Sequence, residues 1–187
     1  MKTALLLIDI QNEYFPGGKR ELVNPLQAAQ KAYELLQCFR EHKQPTVHIQ
    51  HIATRADATS FLPGTEGTHI HDAVAHFEGE PLVIKHYPNS FRETNLLELL
   101  KGWETERVII TGMMTHMCVD ATARAAGDFG FQVMVAEDAC ATRDLTYGDT
   151  VIPAEQVHKA FLAALTHYGK VMTTDQIIAR LAVEQER

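Results

Sequence analysis

Short apolar runs alternate along this chain with longer segments whose apolar residues recur at helical spacing. Short, continuous apolar runs are typical of strands that are buried on both faces. They predict strands at Ala4–Ile8, Thr46–Gln50, Pro81–Lys85, Arg107–Thr111, Phe131–Ala136 and Lys170–Thr173. Because parallel strands need right-handed crossovers, we expect an α/β protein, a three-layer α/β/α fold with a mostly parallel sheet covered by helices on both sides.

The segments between these runs predict helices. The first begins at Pro25 with Asn24 as its N-cap, and one apolar stripe runs along it through Leu26, Ala29, Leu36 and Phe39. Further helices are predicted near Thr94–Lys101, at Cys118, over Pro153–Tyr168 and at the C-terminus.

The segment from Ala53 to Glu80 shows neither pattern and is rich in Gly, Thr and His. Loops of more than about 15 residues without secondary structure are often lids or binding loops. We therefore expect this segment to help close a pocket.

Composition and charge narrow the class of protein. The chain has 187 residues, 45% of them hydrophobic, which is enough for one core, so we expect residues 1–187 to form one domain. A net charge of -7 without clustered Lys and Arg argues against a nucleic-acid partner. Asp9 interrupts the first apolar run and no run approaches the ~20 residues needed to span a bilayer, so we expect a cytoplasmic protein with no membrane partner.

The three cysteines, Cys38, Cys118 and Cys140, show no paired spacing, which predicts neither a disulfide framework nor a zinc ribbon. Cys38 lies within the first predicted helix and is expected in the core. No G-x-G-x-x-G follows the first strand and no G-x-x-x-x-G-K-[ST] occurs, so we expect no cofactor.

Three chemically reactive residues follow directly on apolar runs: Asp9, Lys85 and Cys118. The carboxyl ends of parallel strands meet at the edge of the sheet where ligands bind. At a helix start, the helix dipole is expected to lower the pKa of Cys118 and make it the most reactive of the three thiols. The alternatives are that Asp9 is a turn former, that Lys85 extends to solvent and that Cys118 is a small core residue.

In four blocks the chain resembles the isochorismatase-like cysteine hydrolases. These blocks are Asp9–Asn12, Lys85 with Asn89-Ser90-Phe91, Gly112–Arg124 and Asp138–Thr142. The resemblance implies a six-stranded sheet of Rossmann-like order, a homo-oligomer and an Asp-Lys-Cys catalytic triad that maps onto Asp9, Lys85 and Cys118. It also implies an oxyanion hole made by the backbone N–H groups of Met114 and Cys118, with a cis bond between Met113 and Met114.

These residues predict hydrolysis of a C–N bond in a small molecule through a thioester on Cys118, with Asp9 as the base. One alternative is cleavage of the vinyl ether of isochorismate, but that reaction needs no thiol. Another is a binding or redox-sensing module in which Cys118 is oxidised.

A nicotinamidase-like amidase is a further alternative, and it bears on whether a metal is bound. Six histidines lie in or beside the long loop, at His48, His51, His69, His71, His76 and His86. In the nicotinamidase branch an Asp-x-His pair after the second strand holds the metal, but here that position reads Ile49-Gln50-His51. Because the aspartate is missing, we expect no metal.

Side chains beside the motifs are the candidates for substrate contact, although each could equally serve packing. They are Gln11, Asn12, Phe15, His48, His51, Phe61, Phe91, His116 and Met117.

Overall fold

The computed structural model describes residues 1–185 and contains a six-stranded parallel sheet in the order β3-β2-β1-β4-β5-β8. The strands of this sheet are β1 (Thr3–Ile8), β2 (Thr46–His51), β3 (Leu82–Lys85), β4 (Arg107–Met113), β5 (Gln132–Ala141) and β8 (Gly169–Met172). A separate antiparallel hairpin consists of β6 (Leu145–Tyr147) and β7 (Thr150–Ile152). The predicted α/β fold with a six-stranded sheet of Rossmann-like order is confirmed.

Helices cover both faces of the sheet. The helices are α1 (Pro25–Glu41), α2 (Leu96–Gly102), α3 (Asp120–Asp128), α4 (Ala154–Leu165) and α5 (Thr174–Gln185). One apolar cluster joins α1 and α5 to the sheet, and a second joins α2, α3 and α4 to the opposite face. Each fully buried Leu or Ile in these clusters contributes roughly 1.5–3 kcal/mol to folding, so the two clusters hold the three layers together.

The structure differs from the predicted elements in the region that follows β4. β5 continues to Ala141, and its pairing with β4 shifts register between Ile110 and Gly112. The helix predicted at Cys118 begins with a π-helical turn over Thr115–Val119, and α3 follows it. The hairpin of β6 and β7 has strands of three residues each, too short for the alternation of apolar and polar residues to reveal them.

The start of α1 is partly as predicted. Pro25 occupies the first turn, and Asn24 precedes it. The Asn24 side chain makes no capping hydrogen bond, however, because its backbone is in the left-handed conformation with φ of 55°.

The long loop folds against the carboxyl edge of the sheet through two short 3-10 turns, at Glu66–Thr68 and Asp72–Val74. Gln11 fixes it there, since its side-chain Nε2 donates both to the Thr68 carbonyl at 2.8 Å and to the His51 carbonyl at 2.9 Å. Within residues 1–185, no helix is long and apolar enough to cross a membrane.

Candidate active site

Asp9, Lys85 and Cys118 come together at the carboxyl edge of the sheet. β1 ends just before Asp9, β3 ends at Lys85, and the π-helical turn after β4 carries Cys118. Lys85 Nζ lies 2.7 Å from Asp9 Oδ2 and 3.3 Å from Cys118 Sγ. Asp9 and Lys85 are fully buried and Cys118 is 5% exposed. The ammonium of Lys85 therefore bridges the carboxylate and the thiol in a site almost closed to bulk water.

The backbone at this edge is shaped for close approach of β1 and β4. Asp9 has a left-handed conformation with φ of 51°, which a short polar side chain tolerates better than a branched one. Gly112 has φ of 124°, and a Cβ there would lie 2.0 Å from the carbonyl oxygen of Ile8. Only glycine fits at this position, so the spacing between the strand that carries Asp9 and the strand that leads to Cys118 depends on it.

The turn that carries Cys118 has an unusual backbone. The Met113–Met114 peptide bond is cis, as the resemblance implies. The Met114 carbonyl accepts hydrogen bonds from the N–H groups of Met117 and Val119 at 3.0 and 3.2 Å. These bonds wrap the chain around Cys118 before α3 begins.

The pKa of Cys118 is raised, which corrects the prediction of a lowered value. Burial raises it most, the nearby Asp9 carboxylate raises it further, and Lys85 offsets only part of the effect. The helix dipole does not lower the pKa of Cys118 below its ordinary value, because the thiol is removed from water and lies beside a negative charge. Cys118 therefore rests as a neutral thiol.

The neighbours of Lys85 set its protonation state. Burial alone would lower the pKa of Lys85, but the neighbouring Asp9 and Cys118 raise it above its ordinary value. Lys85 thus stays an ammonium. Asp9 Oδ1 is buried and has no hydrogen-bond partner among the described residues. That oxygen is free to accept a proton.

Of the predicted substrate contacts, His51 and Phe61 lie beside the triad. His51 Nδ1 is 3.5 Å from Lys85 Nζ, and the His51 ring meets the Phe61 ring edge to face at 5.3 Å. His116 and Met117 are in the turn of Cys118, and Met117 is 40% exposed. His51 therefore contacts the triad through Lys85, whereas Phe61 lies against His51, and His116 and Met117 are neighbours of Cys118 along the chain.

The other candidates have different surroundings. Gln11 is fully buried, and its amide is engaged with backbone groups of the loop and of β2. Asn12 and Phe15 line a neighbouring cavity of about 490 Å³, where Phe15 stacks on His71 at 3.7 Å. His48 binds Glu80, and Phe91 packs against Phe129 at 5.1 Å. The structure therefore does not place any of these five side chains beside the triad and free to contact a substrate.

Two residues absent from the predicted set lie near the triad. Tyr14 is buried against Phe61 with ring centroids 5.0 Å apart, and its pKa is raised by burial and then by the charges of Cys118 and Asp9. Tyr14 is therefore within electrostatic reach of Asp9 and Cys118. It lies two residues beyond the Asp9–Asn12 block and beside the predicted contact Phe15, so the motif marks its neighbourhood but not this side chain.

Arg143 is the second such residue. Its Nε is buried and has no hydrogen-bond partner within residues 1–185. Its positive charge lowers the pKa of Tyr14 and that of His116. At Tyr14 this opposes the larger effect of burial, which raises the pKa, and at His116 it adds to the effect of burial. Arg143 is therefore within electrostatic reach of both side chains. It follows directly on the Asp138–Thr142 block, which gave the sequence signal.

Comparison with known proteins shows the family to which the chain belongs. Residues 3–176 match the family model described as Isochorismatase domain. The chain is 48% identical over 179 residues to YddQ of Bacillus subtilis (strain 168), an isochorismatase family protein, with 95% of this chain and 99% of that protein covered. A crystal structure from Oleispira antarctica, assigned as an isochorismatase hydrolase, is 47% identical with a TM-score of 0.91, covering 95% of this chain and 96% of that one.

More distant relatives have named reactions. Nicotinamidase 3 of Arabidopsis thaliana is 30% identical, with 87% of this chain and 79% of that protein covered. Maleamate amidohydrolase of Pseudomonas putida is 27% identical, with 80% and 83% covered. The chain belongs to the isochorismatase family and is a hydrolase.

Proposed function

We propose that this protein is a cysteine-dependent hydrolase that cleaves the C–N bond of a small amide through a thioester on Cys118. The observation that carries the proposal is the Lys85 ammonium, which lies 2.7 Å from Asp9 Oδ2 and 3.3 Å from Cys118 Sγ. A nucleophile, a base and a cation that orients both are the groups that acyl transfer needs. We infer that residues 1–187 act as one such domain.

In the first half of the reaction, Asp9 accepts the proton of the Cys118 thiol as sulfur bonds to the amide carbon. The carbonyl oxygen becomes an oxyanion, for which the backbone N–H groups of Met114 and Cys118 are the proposed donors. Asp9 then returns the proton to the nitrogen, the C–N bond breaks, and the amine leaves. The acyl group remains on sulfur as a thioester.

In the second half, Asp9 takes a proton from water as the water oxygen attacks the thioester. The C–S bond breaks, the carboxylic acid leaves, and the proton returns to the thiol. Lys85 keeps Asp9 in place through both halves. The raised pKa of Cys118 supports this sequence, because a neutral thiol beside a carboxylate requires a base, whereas a resting thiolate would not.

Cys118 also favours C–N cleavage over the vinyl-ether alternative, since protonation of carbon in isochorismate uses no thiol. The nicotinamidase-like alternative finds support in the relative Nicotinamidase 3 but not in the last residues of β2, where Ile49 stands in place of the expected aspartate. Action in the cytoplasm and assembly into a homo-oligomer remain part of the proposal.

The substrate is proposed to carry a carboxylate as well as the amide. Arg143 supports this, because a buried guanidinium Nε without a partner is costly unless a ligand supplies one. Guanidinium binds carboxylate through two parallel hydrogen bonds, and the Tyr14 hydroxyl is a further donor on the same side. Maleamate amidohydrolase, a relative, is named for a substrate of this type.

The first test is a hydrolysis screen of small amides, lactams, carbamoyl compounds, nicotinamide and isochorismate. Cys118→Ala is expected to abolish amide hydrolysis, and Asp9→Asn to lower it by about 10²- to 10⁴-fold. Cys140→Ala, which removes another buried thiol, is the matched control and should retain activity. An acyl adduct on Cys118, trapped in acid and located by mass spectrometry, would support the thioester directly. Near wild-type turnover by Cys118→Ala would rule the mechanism out.

The second test compares pairs of amides that differ only in a carboxylate or a neutral carboxamide at the far end. Arg143→Met is expected to lower kcat/KM for the anionic member by about 10- to 100-fold, the value of a charged bidentate contact, and to leave the neutral member unchanged. Arg92→Met, which removes an exposed arginine lying over the Tyr87 ring, is the control. Equal losses on both members would contradict a carboxylate site.

A further inference from the structure

A side chain from α4 reaches the turn that carries the proposed nucleophile. His158 Nδ1 lies 2.8 Å from the hydroxyl oxygen of Thr115, the first residue of that turn. Thr115 is fully buried, and the same hydroxyl lies 3.3 Å from the carbonyl oxygen of Ala141, where β5 ends. Thr115 therefore connects three elements that are distant in sequence.

The hydrogens in this contact have two arrangements. In one, the Thr115 hydroxyl donates to the Ala141 carbonyl, which can only accept, and His158 then donates to Thr115 through Nδ1, so that a directed series runs from His158 through Thr115 to Ala141. In the other, Thr115 donates to a bare Nδ1, and the second ring nitrogen carries the proton and can donate to the Glu137 backbone, with which His158 also interacts. The first arrangement is the one that also satisfies the contact with Ala141.

These hydrogen bonds fix Thr115, which lies between Met114 and Cys118 in the proposed site. Thr115 directly follows Met114, a proposed oxyanion donor, and precedes Cys118 by three residues in the same π-helical turn. The distance between the Met114 N–H and Cys118 Sγ decides whether both reach the same carbonyl. A displacement of about 1 Å in such an arrangement can cost about 10²-fold in rate.

The turn is tied down separately on its other side, where His116 Nδ1 meets the Thr142 hydroxyl. That bond joins the turn to the segment that follows β5, whereas the His158 bond joins it to α4. No described hydrogen bond or ion pair joins His158 to Asp9, Lys85 or Cys118 within residues 1–185.

We propose that His158 is a positioning residue, which donates through Nδ1 to Thr115 and thereby holds Met114 and Cys118 in register with the substrate carbonyl. The inference rests on the proposed function. This role requires a hydrogen-bond donor at the Nδ1 position, whereas a role in packing alone would not.

Substitution of His158 by asparagine or glutamine distinguishes positioning through Nδ1 from packing. The amide nitrogen of His158→Asn occupies the place of Nδ1, that of His158→Gln the place of Nε2, and His158→Leu has no donor. We expect His158→Asn to keep kcat within about threefold, and the Gln and Leu variants to lose about 10- to 100-fold in kcat with little change in KM. His167→Leu, an exposed histidine beyond the end of α4, is the control.

Two further variants test the route of the effect. Thr115→Val should lower kcat as His158→Leu does, and the double variant should lose no more than either single one, because both remove the same interaction. If all three His158 variants keep wild-type kcat while their thermal stability falls, the role is structural and the proposal is overturned. Losses that are equal in Asn, Gln and Leu would also overturn it.

The tautomer gives a measurement that needs no substrate. In ¹⁵N NMR spectra of the imidazole nitrogens above neutral pH, His158 should have a protonated Nδ1 and a bare Nε2, and Thr115→Val should abolish this preference. A bare Nδ1 overturns the inference even if amides are hydrolysed. If no amide is hydrolysed, the proposed function fails, while the tautomer still decides whether His158 holds the turn.

Discussion

The Cys118 thiol rests in its neutral form because its surroundings favour the proton. Cys118 is buried beside the Asp9 carboxylate, and both features raise its pKa, while the Lys85 ammonium lowers it. In the proposed mechanism, sulfur therefore loses its proton to Asp9 only as the carbon–sulfur bond forms.

This balance predicts opposite effects of two substitutions on alkylation of Cys118 by iodoacetamide. Asp9→Asn removes the carboxylate and leaves Lys85, so the thiol pKa should fall and alkylation should accelerate, by about tenfold for each pKa unit at a pH below both values. Lys85→Met should slow it. Asp9→Asn would thus make the thiol more reactive and the enzyme less active.

Peptide mapping by mass spectrometry would assign each modified cysteine. Cys38 of α1 is partly buried rather than in the core as predicted, and it packs against the apolar cluster that does not contain Cys118. It serves as the internal control and should react at the same rate in all variants. In the wild-type protein we expect Cys38 to be alkylated before Cys118, the reverse of the order expected from sequence. Slower alkylation of Cys118 in Asp9→Asn would refute this account of the site.

How far the sequence reveals the site depends on where each residue stands relative to a strand. Asp9, Lys85 and Cys118 follow apolar runs, so the pattern alone brings them to one edge of the sheet. Tyr14 and Arg143 stand outside the sheet, just beyond two of the motif blocks. The motifs therefore mark their neighbourhood, while tertiary contacts determine which side chain approaches the site.

At the scale of elements, the long loop is anchored by a buried polar cluster at its C-terminal end. The Glu80 carboxylate accepts hydrogen bonds from Arg40 at 2.6 and 2.8 Å and contacts His48 Nε2 at 3.0 Å. Arg40 belongs to α1 and His48 to β2, so the cluster ties the loop to both. His48, predicted to contact substrate, thus serves the loop's attachment, which is a tertiary role that its position in a strand could not indicate.

His48 should make the stability of the folded protein depend on pH. Burial lowers its pKa from 6.5 to about 4, although Glu80 opposes the shift. The unfolded chain therefore binds a proton near pH 6.5 that the folded chain refuses until about pH 4. The resulting stability is fully present above pH 6.5 and is lost as the pH falls toward 4, by at most about 3 kcal/mol.

The measurement is urea unfolding between pH 7 and pH 5. His48→Gln keeps a donor toward Glu80 but cannot titrate, so its free energy of unfolding should fall less over this interval than that of the wild type. The pKa of Glu80 is held down to about 2, because Arg40 and His48 outweigh its burial, so Glu80 adds nothing in this window. His69→Gln, at an exposed histidine, should match the wild type. Parallel curves for wild type and His48→Gln would disprove the assignment.

Other elements show where a local pattern stops being informative. The apolar runs located all six strands of the sheet, although only the central strands β1 and β4 are buried along their whole length and the edge strands β3 and β8 are partly exposed. The π-helical turn at Cys118 and the register shift at Gly112 arise from close packing of β4 against β1 and β5, which involves residues far apart in sequence.

At the scale of the whole molecule, the strand order places the site where the sheet's connections reverse. β1 leads outward to β2 and β3 on one side, while β4 leads to β5 and β8 on the other. Such a reversal leaves a crevice between the two central strands, and Asp9 and the turn of Cys118 stand on either side of it. The order follows from short right-handed crossovers, which is why the fold was predictable, whereas assembly with further copies depends on surface shape and stays a prediction.

The whole molecule should need no metal ion for activity. β2 ends in Ile49, Gln50 and His51, and Ile49 is fully buried in the apolar core. Gln50 donates to the Thr68 carbonyl at 2.7 Å, and His51 Nδ1 lies 3.5 Å from the Lys85 ammonium. A cation there would face a second positive charge, and among the described residues no group of three or more His, Cys, Asp or Glu side chains is placed to hold it, whereas bound zinc takes three or four ligands.

We therefore expect hydrolysis to continue unchanged after dialysis against EDTA and then 1,10-phenanthroline, with activity measured on the best amide of the screen. Lys85 already supplies the positive charge that a metal would bring, so removal of trace metal leaves the catalytic groups intact. A zinc-dependent hydrolase treated in the same way is the control for complete chelation. Loss of activity that zinc, iron or manganese restores would refute the expectation and favour a nicotinamidase-like enzyme, and His51→Ala would then have to abolish both metal binding and turnover.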